Sequence, residues 1–202
     1  MNIGIDIDDT ISNTYDFLFN YAQKYTIIDK NKEIKNVNRN AITHMYTTTF
    51  HNWTDEEEKE FLNKYYEKII KEVKPKMYAV EIINKLKAEG HKIYLITARF
   101  KMDNININLL TQKWVEENNI QYDKLIIDAQ NKLEIAKENN IDIFIDDSIK
   151  NCETIANDGN IKTFIFDSIV NINYKNEKIT RVYSWPHLYQ EIQKIIKNKE
   201  VK

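Results

Sequence analysis

The chain has 202 residues, a formal net charge of −2 and one cysteine, Cys152, with a pI of about 6.1. That length suits one domain with an elaboration, and the near-neutral charge excludes the overall basic field that would hold a nucleic-acid polymer. A single cysteine excludes an internal disulfide and fits a reducing compartment. No apolar stretch approaches the roughly 20 residues that span a bilayer. The N-terminus enters strand-like sequence with no signal-peptide pattern, so the expected location is the cytoplasm.

Residues 2–8 read as a first strand, with Ile3, Ile5 and Ile7 alternating with Gly4, Asp6 and Asp8. Residues 12–25 carry Tyr15, Leu18, Ala22 and Tyr25 at helical spacing. The segment 26–53 is polar and irregular but holds Met45, Tyr46, Phe50 and Trp53. Thr54 and Glu57 make a capping-box pattern that opens a helix to about Val73, with Phe61, Leu62, Tyr65, Ile69 and Val73 on one stripe and Pro75 just beyond its end.

From there strands and helices alternate. A helix over 79–89 stops at Gly90, and strand 91–96 ends in Thr97-Ala98-Arg99. Helix 103–118, strand 123–127, helix 131–139, strand 141–145, helix 149–157 and strand 161–166 follow, and a last helix begins near Pro186. This alternation predicts an α/β, doubly wound, mostly parallel Rossmann-like sheet with a small helical cap inserted after the first strand. The expected division is a core of residues 1–25 and 77–202 and a cap of residues 26–76.

Two acidic clusters end apolar strands: Asp6, Asp8 and Asp9 after the first, and Asp146 and Asp147 after Ile143-Phe144-Ile145. Ligands of open α/β sheets sit beyond the carboxyl ends of the strands, where both clusters and Thr97 fall. Asp6 and Asp8, two residues apart, point the same way near a strand end. One suits attack on phosphorus, the other proton transfer, and Mg²⁺ suits the shared oxygens. Solvated strand-end acids or a helix cap would also explain one such pair, and capping explains one of Asp146 and Asp147. Among 29 basic residues only three are arginines, which singles out Arg99: its planar fork suits a phosphate or carboxylate, or a surface ion pair. Lys132 begins a helix, where a cation opposes the helix dipole unless an anion answers it; Lys124, at a strand, fits less well.

Asp-x-Asp-x-Thr, a strand-end Thr, a Lys before a helix and strand, and Asp-Asp, in that order, resemble the four motifs of the haloacid dehalogenase superfamily of phosphatases. The resemblance implies that Asp6 accepts the phosphoryl group and Asp8 is the acid/base. It implies that Thr97, with Ala98, and Lys132 hold the phosphoryl oxygens. Mg²⁺ would bind Asp6, the Asp8 backbone carbonyl and Asp147, with Asp146 behind.

The small helical insertion, and the ending from Asn171 to Trp185, are similar to the 5′(3′)-deoxyribonucleotidases and their bacterial relatives. The implied substrate is a nucleoside monophosphate. Two departures stand out: that group usually has Gly at the place of Asp9, and Thr-Ser-Pro at the place of Thr97-Ala98-Arg99. The Asp-Ile-Asp-Asp-Thr string also resembles exported class B acid phosphatases. The cap aromatics Tyr46, Phe50, Trp53, Tyr65 and Tyr66 could stack on a base. Phe50 and Trp53, off the regular helix, are the candidate base contacts and Arg99 a further substrate contact; Tyr65 and Phe61 are read as packing. A phosphatase of another small metabolite, or of nucleic-acid or protein termini, would share the chemistry under a different cap. A receiver-like phospho-acceptor module is disfavoured by motif order, because its phosphorylated Asp ends a middle strand and its Lys the last one.

Overall fold

The computed structural model describes residues 1–34, 53–99 and 101–200. Six strands, β1 (Asn2–Ile5), β2 (Lys92–Ile96), β3 (Lys124–Ile126), β4 (Ile143–Asp146), β5 (Lys162–Phe166) and β6 (Ile179–Val182), form one sheet in the order β3-β2-β1-β4-β5-β6. Every pairing is parallel. Ile3 lies level with Ile93 and Ile143, and Ile5 with Leu95 and Ile145. These apolar runs are central strands covered on both faces, as an all-parallel sheet requires.

The helices are α1 (Thr14–Lys24), α2 (Asp55–Glu72), α3 (Ala79–Ala88), α4 (Ile107–Glu117), α5 (Lys132–Glu138), α6 (Ile149–Asp158) and α7 (Trp185–Glu200). On one face Ile3, Ile5, Leu95 and Ile145 pack with Ile83 and Leu86 of α3, Trp114 of α4 and Leu188 and Ile192 of α7. On the other, Ile96 and Phe144 pack with Ala136 of α5 and Ile155 of α6. The doubly wound α/β expectation is met. Among the described residues, no helix is long and apolar enough to cross a membrane.

The first strand is shorter than its alternation predicts. After Ile5 the backbone turns, and the amides of Ile11 and Ser12 both donate to the Ile7 carbonyl at 2.9 Å. Asp9 sits in the left-handed region at φ 57°. The group resembled above keeps Gly at this position, and the conformation explains why; Asp is among the few other residues that tolerate it. The sixth strand has no counterpart in the sequence pattern, because Thr180 and Arg181 interrupt its apolar signal.

The chain leaves the sheet at Ser12 and returns at Pro75, where the two segments form an antiparallel bridge. Between them α1 runs into a π-turn, Tyr25–Asp29, and packs on α2. The capping box of Thr54 and Glu57 is formed in both directions. Tyr25, Trp53, Phe61, Tyr65 and Ile69 make a small aromatic core, with Tyr25 and Trp53 edge to face at 5.0 Å between centroids.

Gly4 marks the tightest point of the sheet. A Cβ there would lie 2.9 Å from Phe144 Cδ2 and 3.2 Å from Ile96 Cδ1. Phe144 is fully buried and has no free volume to move into. Gly4→Ala is therefore expected to cost about 1–3 kcal/mol of stability, read as a lower urea midpoint at unchanged slope; an unchanged or higher midpoint would contradict this packing.

Candidate active site

Asp6 follows β1 directly and Asp146 closes β4, and the two tips are tied by the Asp6 amide donating to the Ile145 carbonyl at 2.9 Å. The connections from these neighbouring strands run to opposite sides of the sheet, which opens a crevice at their carboxyl ends. Thr97 closes β2 on the other flank, 1% exposed, with its amide bonded to the Ile126 carbonyl at 3.0 Å. The exposed Ala98 and the buried Arg99 follow it. Two acidic clusters that stand 140 residues apart in the chain thus become one site.

Lys132, the first residue of α5, joins them. Its Nζ donates to Asp6 Oδ1 at 2.5 Å and to Asp146 Oδ2 at 2.7 Å. All three side chains are almost fully buried. A cation at a helix start is locally unfavourable; here two carboxylates answer it and hold its ammonium firmly protonated against the cost of burial. Asp146 also accepts from the Ser148 amide at 2.8 Å and from Asn151 Nδ2 at 3.0 Å.

Asp8 lines the same cavity but has its own partners. Arg99 grips it in a fork, Nε to Oδ2 at 2.8 Å and Nη2 to Oδ1 at 2.9 Å, and Thr14 Oγ1 donates to Oδ1 at 2.7 Å. Burial acts to raise its pKa, but the Arg99 charge and hydrogen bonds outweigh that and hold it below the usual carboxylate range. The Asp8 carboxylate nonetheless stays 30% exposed.

Asp9 and Asp147 complete the set. Asp9 accepts from the Tyr15 amide at 2.8 Å and faces Lys76 at 3.8 Å. Asp147 accepts from Ser168 Oγ through Oδ2 at 3.1 Å, and its carbonyl accepts from Asn171 Nδ2 at 2.8 Å. Five carboxylates therefore surround two buried cations, and among the described residues no ion pair reaches Asp147. The consequence is electrostatic. Burial first, and then the neighbouring carboxylates, push Asp147 well above its ordinary value. Burial also pushes Asp9 up, against the pull of Lys76. Burial lifts Asp6 to about 7, with Lys132 opposing and Asp146 and Asp8 adding.

Oxygens of Asp6, Asp146 and Asp147 lie within 4.8 Å of one another. Three buried carboxylates with excess negative charge and no sulfur or imidazole among them are a donor set for a hard divalent cation. The residues present fit such an ion.

A cavity of about 500 Å³ opens over this cluster. Its floor is the tips of β1, β2 and β4 with Lys132. Its roof is Tyr15 and Leu18 of α1 with Glu58, Leu62 and Tyr66 of α2. Tyr66 is among the cap aromatics that the sequence offers for stacking; sequence reasoning did not select Tyr15, Leu18, Glu58 and Leu62, since only the approach of α1 to α2 brings them to the cavity. Trp53 is elsewhere: it is 7% exposed in the aromatic core, and its Nε1 donates to Thr26 Oγ1 at 2.9 Å. Phe50 lies outside the described residues. Arg99 lies along the cavity wall, with its donors directed to Asp8 and Thr111. The ending noted in the sequence has a structural role here, because Trp185 Nε1 donates to the Thr10 carbonyl at 3.1 Å and anchors the Asp6–Thr10 turn to α7.

Comparison with known proteins matches residues 1–200 to the family described as 5' nucleotidase, deoxy (pyrimidine), cytosolic type C protein. A nucleotidase of Clostridium acetobutylicum is 29% identical over 203 residues, covering 99% of this chain and 97% of that protein. Among solved structures, a haloacid dehalogenase-like hydrolase from Streptococcus pneumoniae superposes with a TM-score of 0.66 at 12% identity, covering 96% of this chain and 97% of that one. A β-phosphoglucomutase from Clostridium difficile gives 0.61 at 19% identity, covering 100% and 99%. At these identities the structures establish a shared fold.

The raised carboxyls fix a sign. Asp6 keeps a proton in the native state that the unfolded chain releases above about 4, so its contribution to stability is lost as pH rises from there through about 7. A divalent cation that binds the ionised cluster offsets the loss. Melting with chelator and with excess Mg²⁺ is therefore expected to show a larger Mg²⁺-dependent rise in Tm at about pH 8 than at about pH 5. Equal Tm values with and without Mg²⁺ at both pH values would contradict the cation site.

Proposed function

The chain belongs to the 5' nucleotidase, deoxy (pyrimidine), cytosolic type C family, and from that premise we propose that it hydrolyses nucleoside monophosphates through a phosphorylated Asp6. It is a phosphoric monoester hydrolase with a haloacid dehalogenase-like fold. The observation that carries the proposal is Asp6 itself, at the floor of the cavity, held by Lys132, with a second, differently tuned carboxylate two residues away.

In the first step an Asp6 carboxylate oxygen bonds to phosphorus as the bond to the leaving oxygen breaks, and Asp8, having taken up a proton against the pull of Arg99, gives it to that oxygen. In the second, Asp8 takes a proton from the water that attacks phosphorus, and Asp6 is released with inorganic phosphate. Lys132 and Thr97, with the backbone at Ala98, hold the phosphoryl oxygens. Asp6, the Asp8 carbonyl and Asp147 would hold Mg²⁺, with Asp146 behind them. Both Asp146 oxygens already take protein donors, whereas Asp147 accepts through Oδ2 alone among the described residues. When bound, Mg²⁺ supplies positive charge to the phosphoryl oxygens.

The core and cap divide here at the Ser12–Pro75 crossing, which sets α1 with α2 on the cap side, whereas the sequence reading keeps residues up to 25 with the core. The roof residues Tyr15, Leu18, Leu62 and Tyr66 offer aromatic and apolar surface of the kind a nucleobase stacks on. Asp6→Asn keeps the shape and removes the nucleophile. It is expected to fold and to lose at least ~10³-fold in kcat, by analogy with other nucleophile deletions, with Mg²⁺ and a nucleoside monophosphate present. An active Asp6→Asn would overturn the mechanism, and a clear preference of the native enzyme for sugar phosphates in a substrate screen would overturn the nucleotidase reading.

A further inference from the structure

Arg99 uses its guanidinium on the protein itself. Two nitrogens fork onto Asp8, Nη1 donates to Thr111 Oγ1 at 3.2 Å, and the group sits over the Trp114 ring at 5.7 Å from its centroid. The side chain is 2% exposed, and Thr111 and Trp114 are buried on α4. Thr14, the first residue of α1, completes the grip from the cap side. Both Asp8 oxygens are thus fixed from two elements while the carboxylate still reaches the cavity.

We infer that Arg99 is the positioning residue of Asp8, setting the plane and rotation of the acid/base carboxylate rather than binding substrate. The inference rests on the reading of Asp8 as acid/base. An aspartate held by one hydrogen bond still turns about two torsions, whereas a bidentate fork removes both freedoms. That precision matters because an acid displaced by about 1 Å from its proton acceptor loses on the order of 10²-fold in rate. Lysine, a point donor, cannot replace the fork. The sequence motif also takes on meaning: Arg two residues after the strand-end Thr97 places its fork on the residue two after Asp6.

The step served is transfer of a proton, which Asp8 must first take up within the Arg99 fork, to the leaving oxygen as the phosphorus–oxygen bond breaks. Its importance grows as the leaving group becomes a poorer anion. The test is therefore kcat/KM along a series from p-nitrophenyl phosphate through phenyl phosphate to an alkyl phosphate such as a nucleoside monophosphate. Because kcat/KM ends with departure of the alcohol, the later water attack does not enter.

Arg99→Lys is expected to lower kcat/KM by ~10–100-fold for the alkyl phosphate and by no more than ~3-fold for p-nitrophenyl phosphate, since general acids contribute roughly 10²–10⁴-fold. Thr111→Val, which leaves Arg99 in place but removes its third anchor, should shift the series in the same direction by less, and it carries the test if Arg99→Lys does not fold. An equal loss across the series, or one carried by KM alone, would place Arg99 on the substrate and overturn the inference. Asp8→Asn, measured beside them, separates the two levels. A flat series in Asp8→Asn removes the acid/base reading itself, whereas a steep Asp8→Asn with a flat Arg99→Lys removes only the positioning role.

Discussion

Carboxylates repel, and this fold gathers five of them at one point. Asp6, Asp8, Asp9, Asp146 and Asp147 arrive from two strand tips, and the buried cations among them are Lys132 and Arg99. Packing alone would never favour such a cluster, because each uncompensated buried charge costs more than a hydrogen bond returns. The two cations do not neutralise it; they divide it. Lys132 ties Asp6 to Asp146, Arg99 withdraws Asp8 into a separate ion pair, and Asp9 and Asp147 are left with strongly raised proton affinity. One cavity thus holds carboxylates of unlike proton affinity.

The surrounding architecture serves that convergence. The parallel sheet brings Asp6 beside Asp146 only because β1 and β4 are neighbours, and the close approach at Gly4 keeps β1 tight against β4 and the Phe144 ring. Trp185 fixes the Thr10 carbonyl from the last helix, so the Asp6–Thr10 turn is anchored by a residue 175 positions away. Above, α1 and α2 form their own aromatic core and turn Tyr15, Leu18, Leu62 and Tyr66 toward the cavity. The acidic floor of the cavity and its roof therefore come from segments that meet at the Ser12–Pro75 crossing.

Much of the floor was legible in the sequence for physical reasons. Alternating isoleucines announced buried strands, and acids at strand ends announced a shared acidic site at the strand tips. Lys132 stood out because a cation at a helix start demands an anion, and two now answer it. The partner of Arg99 was not legible, since Asp8 lies 91 residues away and only the tertiary fold brings them together. Trp53 drew notice as an aromatic outside a regular helix, yet burial against Tyr25 and Phe61 holds it inside the cap. Strand β6 escaped because four residues with polar Thr180 and Arg181 carry too little periodic signal. Asp9 departed from the glycine of the resembled group; its left-handed backbone shows that the departure keeps the conformation and adds a carboxyl group.

The central claim is that Asp6 takes the phosphoryl group. The most direct measurement is an acid quench of Asp8→Asn during turnover of p-nitrophenyl phosphate, followed by peptide mass spectrometry. Without Asp8 to activate water the covalent intermediate should accumulate, while the aryl leaving group still departs unaided. The account predicts a phosphoryl group on the peptide that carries Asp6, formed together with a burst of p-nitrophenolate close to one per enzyme. Release of p-nitrophenolate and phosphate in equal amounts, with that peptide unmodified, would contradict it.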